Sequence, residues 1–151
     1  MKHLLVHDDH KDVLASWHWK VGRHADVVAL SLSGDAFFKD EGGRVQWLDT
    51  GAGIVEQVAS DEAEFWAALA DPERAGELLL QPVVESFLNA RGPFPVGKCL
   101  GYLKLPVFGG DYAGINRILL PVAEHFLFTG ELHERIKDLP DGSQVRIKVV
   151  D

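Results

Sequence analysis

The segment Leu48-Asp49-Thr50-Gly51-Ala52 has the residue types that aspartic proteases place in their catalytic loop. In that chemistry two aspartates share one proton, so a second carboxylate must lie within hydrogen-bonding distance. A chain of 151 residues could supply it only by pairing with another copy, and helices rather than strands are predicted after the motif. We therefore interpret the segment as a hairpin turn in which the glycines adopt positive φ, and we expect no protease activity.

Residues 92–99 form a second motif, which falls short of a phosphate-binding P-loop. Cys99 stands where the serine or threonine hydroxyl that holds Mg²⁺ is required. Pro93 and Pro95 remove backbone N–H donors from a loop whose donors would have to cradle the phosphate. A helix is predicted before the motif and a strand after it, which reverses the required order, so we predict no nucleotide site.

Histidines at two places could bind a metal ion. His3, His7 and His10 have the spacing of one helical face, and imidazoles so arranged can bind Zn²⁺ or Ni²⁺. Chain ends are often frayed, however, and we interpret the trio as a solvated terminus. His125 and His133 are predicted to lie on the last helix as packed or hydrogen-bonded side chains. We therefore predict no metal site and no cofactor.

Charge is distributed unevenly along the chain. Residues 35–85 contain twelve Asp and Glu against three Lys and Arg, a net charge of −9, whereas the rest of the chain sums to +1. A field of one sign attracts oppositely charged partners and speeds their encounter. The sequence therefore favours a basic protein as partner and disfavours nucleic acid and anionic membranes. The competing interpretation is that the acidic residues only maintain solubility.

Length and composition are typical of one soluble domain. A chain of 151 residues with 46% hydrophobic content can bury a sizeable core. Its one cysteine, Cys99, cannot form an intrachain disulfide, and we interpret it as a structural thiol. No apolar run is long enough for a signal peptide or a membrane-spanning helix, so we expect a cytoplasmic protein. Residues 1–16 match nothing that we can place and are treated as an extension of a domain over 17–151.

Periodicity predicts an α+β fold with a mostly antiparallel sheet packed against helices. Four short strands joined by glycine turns form an N-terminal meander, over residues 27–32, 35–39, 44–48 and 54–58. Asp61 and Glu64 form a capping box that begins one helix, and Asp71-Pro72 begins another, which is kinked or broken at Pro82. Later elements are strands over 99–103 and 115–120, a helix over 122–137 and a closing strand over 145–149.

The order of several motifs resembles a known bacterial family. These motifs are Gly34-Asp35-Ala36-Phe37-Phe38, Asp40-Glu41-Gly42-Gly43, Trp47-Leu48-Asp49-Thr50, Asp71-Pro72-Glu73, Pro106-Val107-Phe108-Gly109-Gly110-Asp111-Tyr112, Gly130-Glu131-Leu132-His133 and Lys137-Asp138-Leu139-Pro140-Asp141-Gly142. Together they are similar to the C-terminal domain family of type VI secretion DNase-immunity proteins (Tdi-type), long a domain of unknown function and grouped with the Smi/Knr-like superfamily. The resemblance implies an α+β domain without catalytic residues that neutralises a cognate toxin.

Two sets of candidate site residues follow. An acidic surface would mimic the phosphates that a nuclease binds, and we expect its carboxylates at exposed turns of the meander: Asp35, Asp40, Glu41, Asp49 and Glu56. A glycine-rich loop supplies the second set, which we interpret as fold-defining with a small-ligand pocket as the alternative: Gly109, Gly110, Asp111, Tyr112 and Asn116. The predicted function is non-catalytic binding of a basic toxin. The alternatives are a regulatory or structural interaction domain and a small-ligand-binding domain.

Overall fold

A four-stranded antiparallel meander lies at the centre of the fold, as a computed structural model describes it for residues 4–6, 12–140 and 142–143. Its strands, in spatial as well as sequence order, are β1 (Asp26–Leu30), β2 (Ala36–Lys39), β3 (Val45–Asp49) and β4 (Ile54–Ala59). Glycines with positive φ occupy each connecting turn, among them Gly34 at +95° and Gly53 at +72°. Tight turns need these left-handed conformations, so the glycine spacing sets the positions of the strands.

Both faces of the meander are covered. Successive residues of a strand point to opposite faces, and Phe37 and Phe38 of β2 accordingly belong to two different apolar clusters. Phe37 packs against Phe65 with ring centroids 4.9 Å apart, while Phe38 shares its cluster with Phe126. Helices from the middle of the chain therefore cover one face, and the last helix covers the other.

Five α-helices are present among the described residues. They are α1 (His18–Val21), α2 (Glu62–Ala70), α3 (Pro72–Leu78), α4 (Gln81–Arg91) and α5 (Val122–Ile136). One half of the predicted capping box of α2 is confirmed, because Asp61 accepts a hydrogen bond from the Glu64 N–H. Asp71 caps α3 by accepting from the Glu73 N–H. The break before α4 lies at Leu80, which has a φ of +47°, rather than at Pro82, which falls in the first turn of the new helix.

A two-stranded antiparallel sheet carries the later part of the chain. It pairs β5 (Lys98–Tyr102) with β6 (Arg117–Pro121), and the Leu100 N–H donates to Leu32 O at 2.8 Å to join this sheet to the meander. The prediction that a strand begins at residue 115 is wrong by two residues. Gly114–Asn116 forms a 3₁₀ turn instead, as does Pro106–Phe108.

The described part of residues 1–16 belongs to the core. Leu4 and Leu14 are buried, and Leu5 pairs with Ser31 as an isolated antiparallel bridge. Apolar side chains from both sides of residue 17 thus enter the two clusters, Leu4 in the first and Leu14 in the second.

The predicted class, α+β with antiparallel sheets in a single domain, is confirmed. The strand predicted over 145–149 and the trio His3, His7 and His10 lie outside the described residues. Within the described part of the chain, no helix has both the length and the apolar composition needed to cross a bilayer.

Candidate functional site

Asp35 is buried, which corrects its predicted place on the acidic surface. Only 1% of its surface is exposed. One carboxylate oxygen accepts the Trp47 indole N–H at 3.0 Å, and the other accepts the Thr50 N–H at 3.1 Å and the Thr50 hydroxyl at 3.3 Å. Asp35 lies two residues before Phe37, so strand alternation directs both side chains to the same, covered face. It therefore cannot contact a partner.

Burial also sets the protonation of Asp35. Loss of solvation is the largest cause that raises its pKa, to about 7, and the nearby charge of Asp49 raises it further. The hydrogen bonds from Trp47 and Thr50 and the charge of Arg117 oppose this change. Asp35 is thus a buried carboxyl group whose charge changes with small changes of pH around 7.

Two histidines of α5 complete the polar interior next to Asp35. The His125 Nε2 lies 2.8 Å from Gly34 O and 3.0 Å from the Thr50 hydroxyl, and burial lowers the pKa of His125 to about 4. His133 Nε2 lies 2.9 Å from Thr50 O, and burial also lowers its pKa. Both residues are neutral and donate to backbone carbonyls, so the prediction of hydrogen-bonded histidines on the last helix is confirmed.

Arg117 is a buried cation that sequence reasoning missed. Only 4% of it is exposed, and it donates from Nε to Tyr112 O at 3.0 Å and from Nη1 to Ser33 O at 3.1 Å. Its guanidinium carbon lies 3.8 Å from the centroid of the Tyr102 ring. Arg117 Nη2 and the Tyr102 hydroxyl have no hydrogen-bond partner among the described residues. The signal in the sequence that could have identified Arg117 is that it is the single charged residue in a mostly apolar predicted strand.

The glycine-rich loop is held together by its own side chains. Asn116 accepts the Lys104 N–H at 3.0 Å and donates to Lys104 O at 2.7 Å and to Asp111 O at 2.6 Å. Asp111 accepts the Ala113 N–H at 2.9 Å. A Cβ at Gly110 would overlap the Lys104 carbonyl, and the neighbouring Gly109 has a φ of +90°. These contacts agree with the fold-defining interpretation of the loop.

Tyr112 fastens this loop to the β3–β4 turn. Its hydroxyl donates to Asp49 Oδ2 at 2.8 Å, while Asp49 Oδ1 accepts the N–H groups of Gly51 and Ala52 at 2.9 Å and 3.1 Å. Both oxygens of Asp49 are therefore engaged within the protein. The protease-like segment forms the turn between β3 and β4. The other carboxylate close to it, Asp35, is buried and accepts the Thr50 N–H.

The remaining predicted partner-binding residues differ in exposure. Asp40 is half-buried and accepts hydrogen bonds from the backbone and side chain of Arg44, from Gln46 and from Gly42. Glu41 is exposed, and its Oε1 lies 3.8 Å from His24 Nε2. Glu56 is exposed on the outermost strand β4. Of the five predicted residues, only Glu41 and Glu56 thus present their carboxylates to solvent.

Exposed carboxylates are concentrated further along the chain than predicted. We define the acidic surface as the five acidic residues between positions 56 and 73 that are exposed and form no ion pair among the described residues: Glu56, Asp61, Glu64, Asp71 and Glu73. Two neighbouring carboxylates form ion pairs, Glu62 with Lys39 and Glu77 with Arg74. Asp61 and Asp71 also cap helices, as the sequence predicts for the starts of α2 and α3.

The cavities that described residues line include three grooves, none of which contains a residue of the glycine-rich loop. An apolar groove of 420 Å³ lies between Leu5 and the loop around Val96. A groove of 580 Å³ lies between Trp19 and α5, and one of 400 Å³ lies near Ala25. No group of three or more His, Cys, Asp or Glu side chains in the described ranges is placed to hold a metal ion.

The geometry of the buried network holds the fold together. Its hydrogen bonds link the turns of the meander, the glycine-rich loop and α5, and Arg117 Nη2 and the Tyr102 hydroxyl are buried atoms of this region without a partner among the described residues. No family model matches this chain, and no curated protein matches it.

Proposed function

We propose that this protein is non-catalytic and that it binds and neutralises a cognate secreted toxin, a basic protein of the nuclease type, in the cytoplasm. The observation that carries the proposal is the acidic surface, whose five carboxylates are exposed without basic partners among the described residues. The resemblance to the immunity family suggests the class of partner, and the negative charge of the acidic surface suggests that the partner is positively charged. Nucleic acid and anionic membranes carry the same sign of charge and are not partners under this proposal.

Carboxylates can occupy the positions of substrate phosphates in a basic cleft. Lysine and arginine side chains form short, charge-assisted hydrogen bonds to either group, and a bidentate arginine fits both. Electrostatic potentials of opposite sign on the two partners also accelerate their association, and this acceleration falls as salt is added. Binding through the acidic surface would therefore be fast and salt-sensitive, and it would block the cleft without turnover.

Trp66 supports the proposal because it offers an aromatic anchor beside the carboxylates. Trp66 is 40% exposed on α2. The Trp66 indole donates to Glu62 at 3.2 Å, and the ring packs edge-on against Phe65 with centroids 5.1 Å apart. A tryptophan fixed in this way loses little conformational entropy on binding, which suits it to an interface anchor.

The first test is capture of the partner from a native cell lysate at low and at high salt. We expect one basic protein to be retained at low salt and released at high salt. The captured protein is then purified, and its cleavage of nucleic acid is measured while this protein is added. Complete inhibition at a one-to-one ratio supports the proposal. If no basic protein is captured at low salt, or if the captured protein remains active when bound, the toxin proposal is wrong; the second result favours the interaction domain.

A charge-reversal pair tests whether the acidic surface forms the contact. Glu56→Lys changes one exposed carboxylate of the surface, and Asp138→Lys makes the same change of net charge at an exposed residue after α5. We expect the dissociation constant for the captured partner to rise at least about tenfold for Glu56→Lys, since a close attractive charge pair becomes repulsive. Asp138→Lys should change it much less. Equal effects would show that only net charge matters.

A further inference from the structure

The outer side of α5 exposes two large apolar side chains. Leu127 is 52% exposed and Phe128 is 48% exposed, whereas Val122, Phe126 and Leu132 of the same helix are buried. A surface helix normally places polar residues on its solvent side. Two adjacent large apolar residues there are a feature of helices that bind a further partner.

A groove of 580 Å³ adjoins this exposed side. It lies between α5 and the segment that contains α1, and Trp19, Ser16 and Leu127 contribute to its walls. Glu131 and Glu134 of α5 line one side, and Arg23 lines the other. The groove therefore combines an apolar wall with charged groups at its edges, which is the arrangement that fixes the orientation of a bound segment.

Hydrogen bonds hold the two walls of the groove at a fixed separation. The Ser16 hydroxyl donates to Phe126 O at 2.8 Å, and the Trp19 indole donates to Gly130 O at 3.1 Å. A Cβ at Gly130 would overlap Ser16, so the close approach of the walls requires glycine there. Trp17 stacks on Trp19 with centroids 5.8 Å apart. A groove that is already formed needs little reorganisation when it is occupied.

The charges beside the groove favour a basic occupant. Glu124, Glu131 and Glu134 are exposed, and none of them forms an ion pair within the described part of the chain. Two cations also lie at the groove, Arg23 in its lining and Lys137, whose Nζ is 5.2 Å from the centroid of the Trp19 ring, so these three carboxylates outnumber them. Their spacing of seven and three residues places all three on the outer side of α5, between or beside Leu127 and Phe128. Lysine or arginine side chains of a bound segment could reach these carboxylates while an apolar side chain enters the groove.

We infer that the groove between Trp19 and α5 binds a basic amphipathic helix of another protein. An apolar side chain of that helix packs between Trp19 and Leu127, and its lysine or arginine residues face Glu124, Glu131 and Glu134. Helix-in-groove recognition uses this combination of a rigid apolar slot and a charged rim. The site is separate from the acidic surface, because α5 covers the face of the meander opposite to α2. It is thus a second interaction surface beyond the proposed function.

A designed peptide tests this inference without knowledge of the natural partner. The probe is a fluorescent peptide of about four helical turns with leucine at helical spacing and lysine on its other side. A matched peptide carries glutamate in place of lysine. Fluorescence anisotropy gives the dissociation constant of each peptide for the full chain at low salt. Thermal unfolding of every variant shows whether the protein is still folded.

Two variants alter the groove and two alter other exposed positions. Leu127→Arg charges the wall and Glu131→Lys reverses the rim, while Ile115→Arg, at a residue that is 88% exposed, and Asp138→Lys are the matched controls. We expect the lysine peptide to bind, the glutamate peptide not to bind, and each groove variant to raise the dissociation constant at least about tenfold. Both controls should remain within about twofold of the unchanged protein, because neither position lines the groove.

Three results would overturn the inference. The lysine peptide fails to bind the unchanged protein, or it binds Leu127→Arg as well as the unchanged protein, or the controls weaken binding as much as the groove variants do. The second result would place the peptide on the acidic surface instead. In that case the proposed function would stand while the groove would have no part in binding.

Discussion

Replacement of Asp35 with asparagine tests whether its carboxyl group titrates near neutrality inside the folded protein. In the unfolded chain an aspartate ionises near its ordinary pKa of 3.8, whereas burial raises the pKa of Asp35 to about 7 in the fold. Between these values the folded protein keeps a proton that the unfolded chain has lost. The free energy of unfolding contributed by Asp35 therefore decreases as the pH rises through this window and is constant above it.

The size of the effect follows from the displacement of the pKa. One pKa unit corresponds to about 1.4 kcal/mol, so the rise from 3.8 to about 7 is worth about 4 kcal/mol over the whole window. Roughly 3 kcal/mol of this falls between about pH 5 and pH 8. Asparagine cannot ionise, so this contribution disappears in the variant. Its amide N–H₂ would face the Trp47 indole N–H, and one buried donor without an acceptor costs about 1–3 kcal/mol at every pH.

The assay is urea unfolding of both proteins across this pH range, followed by tryptophan fluorescence. The quantity of interest is the difference in free energy of unfolding between the unchanged protein and Asp35→Asn. His125 and His133 titrate in both proteins, so their contributions cancel in the difference. We expect the difference to shift by about 3 kcal/mol in favour of the variant between about pH 5 and pH 8. Asp138→Asn, at an exposed position, is the control for loss of one carboxylate.

A flat difference curve would refute the reasoning. It would mean that Asp35 is ionised throughout the range and that its three donors, from Trp47 and Thr50, outweigh the loss of solvation. The curve would be equally flat if the fold stabilised the charged form, because an unfolded aspartate is already ionised above about pH 5. A flat curve would also remove the argument that Asp49 acts on Asp35 through its charge.

Three further predictions concern the network and the core. Gly34→Ala should lower the free energy of unfolding by more than about 2 kcal/mol, because φ is +95° and a Cβ would overlap Leu100 O; an unchanged urea midpoint would contradict this. Tyr112→Phe removes the hydroxyl that donates to Asp49, so amide exchange in the glycine-rich loop should speed up severalfold while β2 is unaffected; equal exchange in both proteins would show that the bond does not fasten the loop. Cys99 should not react with a thiol reagent until the protein unfolds, since burial raises its pKa to about 12, and labelling of the native protein would argue against that burial.

Elements with local signals could be predicted from the sequence. The turns of the meander follow from glycines, and the starts of α2 and α3 follow from Asp61 and Asp71, whose carboxylates bond within three residues. The start of α4 could not be predicted in this way. Leu80 adopts a φ of +47° without the glycine that usually marks such a conformation, so its position depends on packing rather than on residue type.

The role of Asp35 depended on partners that no local pattern reveals. Its donors come from positions 12 and 15 residues away, and Arg117 joins the same interior from β6. The sequence showed an aspartate beside a turn, which is normally exposed, and the rule of alternation with Phe37 was the one contrary signal. Exposure of Glu56 was predicted correctly because a charged residue on an edge strand has few ways to be buried.

The bonds from Ser16 to Phe126 and from Trp19 to Gly130 join positions 110 and 111 residues apart in the chain. During synthesis the segment around α1 leaves the ribosome about 5 to 20 s before α5 is made, at ordinary rates of translation. Trp17, which is fully buried in the finished protein, has no helix to cover it during that interval. Contacts between such distant positions close late because the loop between them must first be ordered. We therefore expect the arrival of α5, rather than formation of the meander, to set the rate at which the nascent chain reaches its native state.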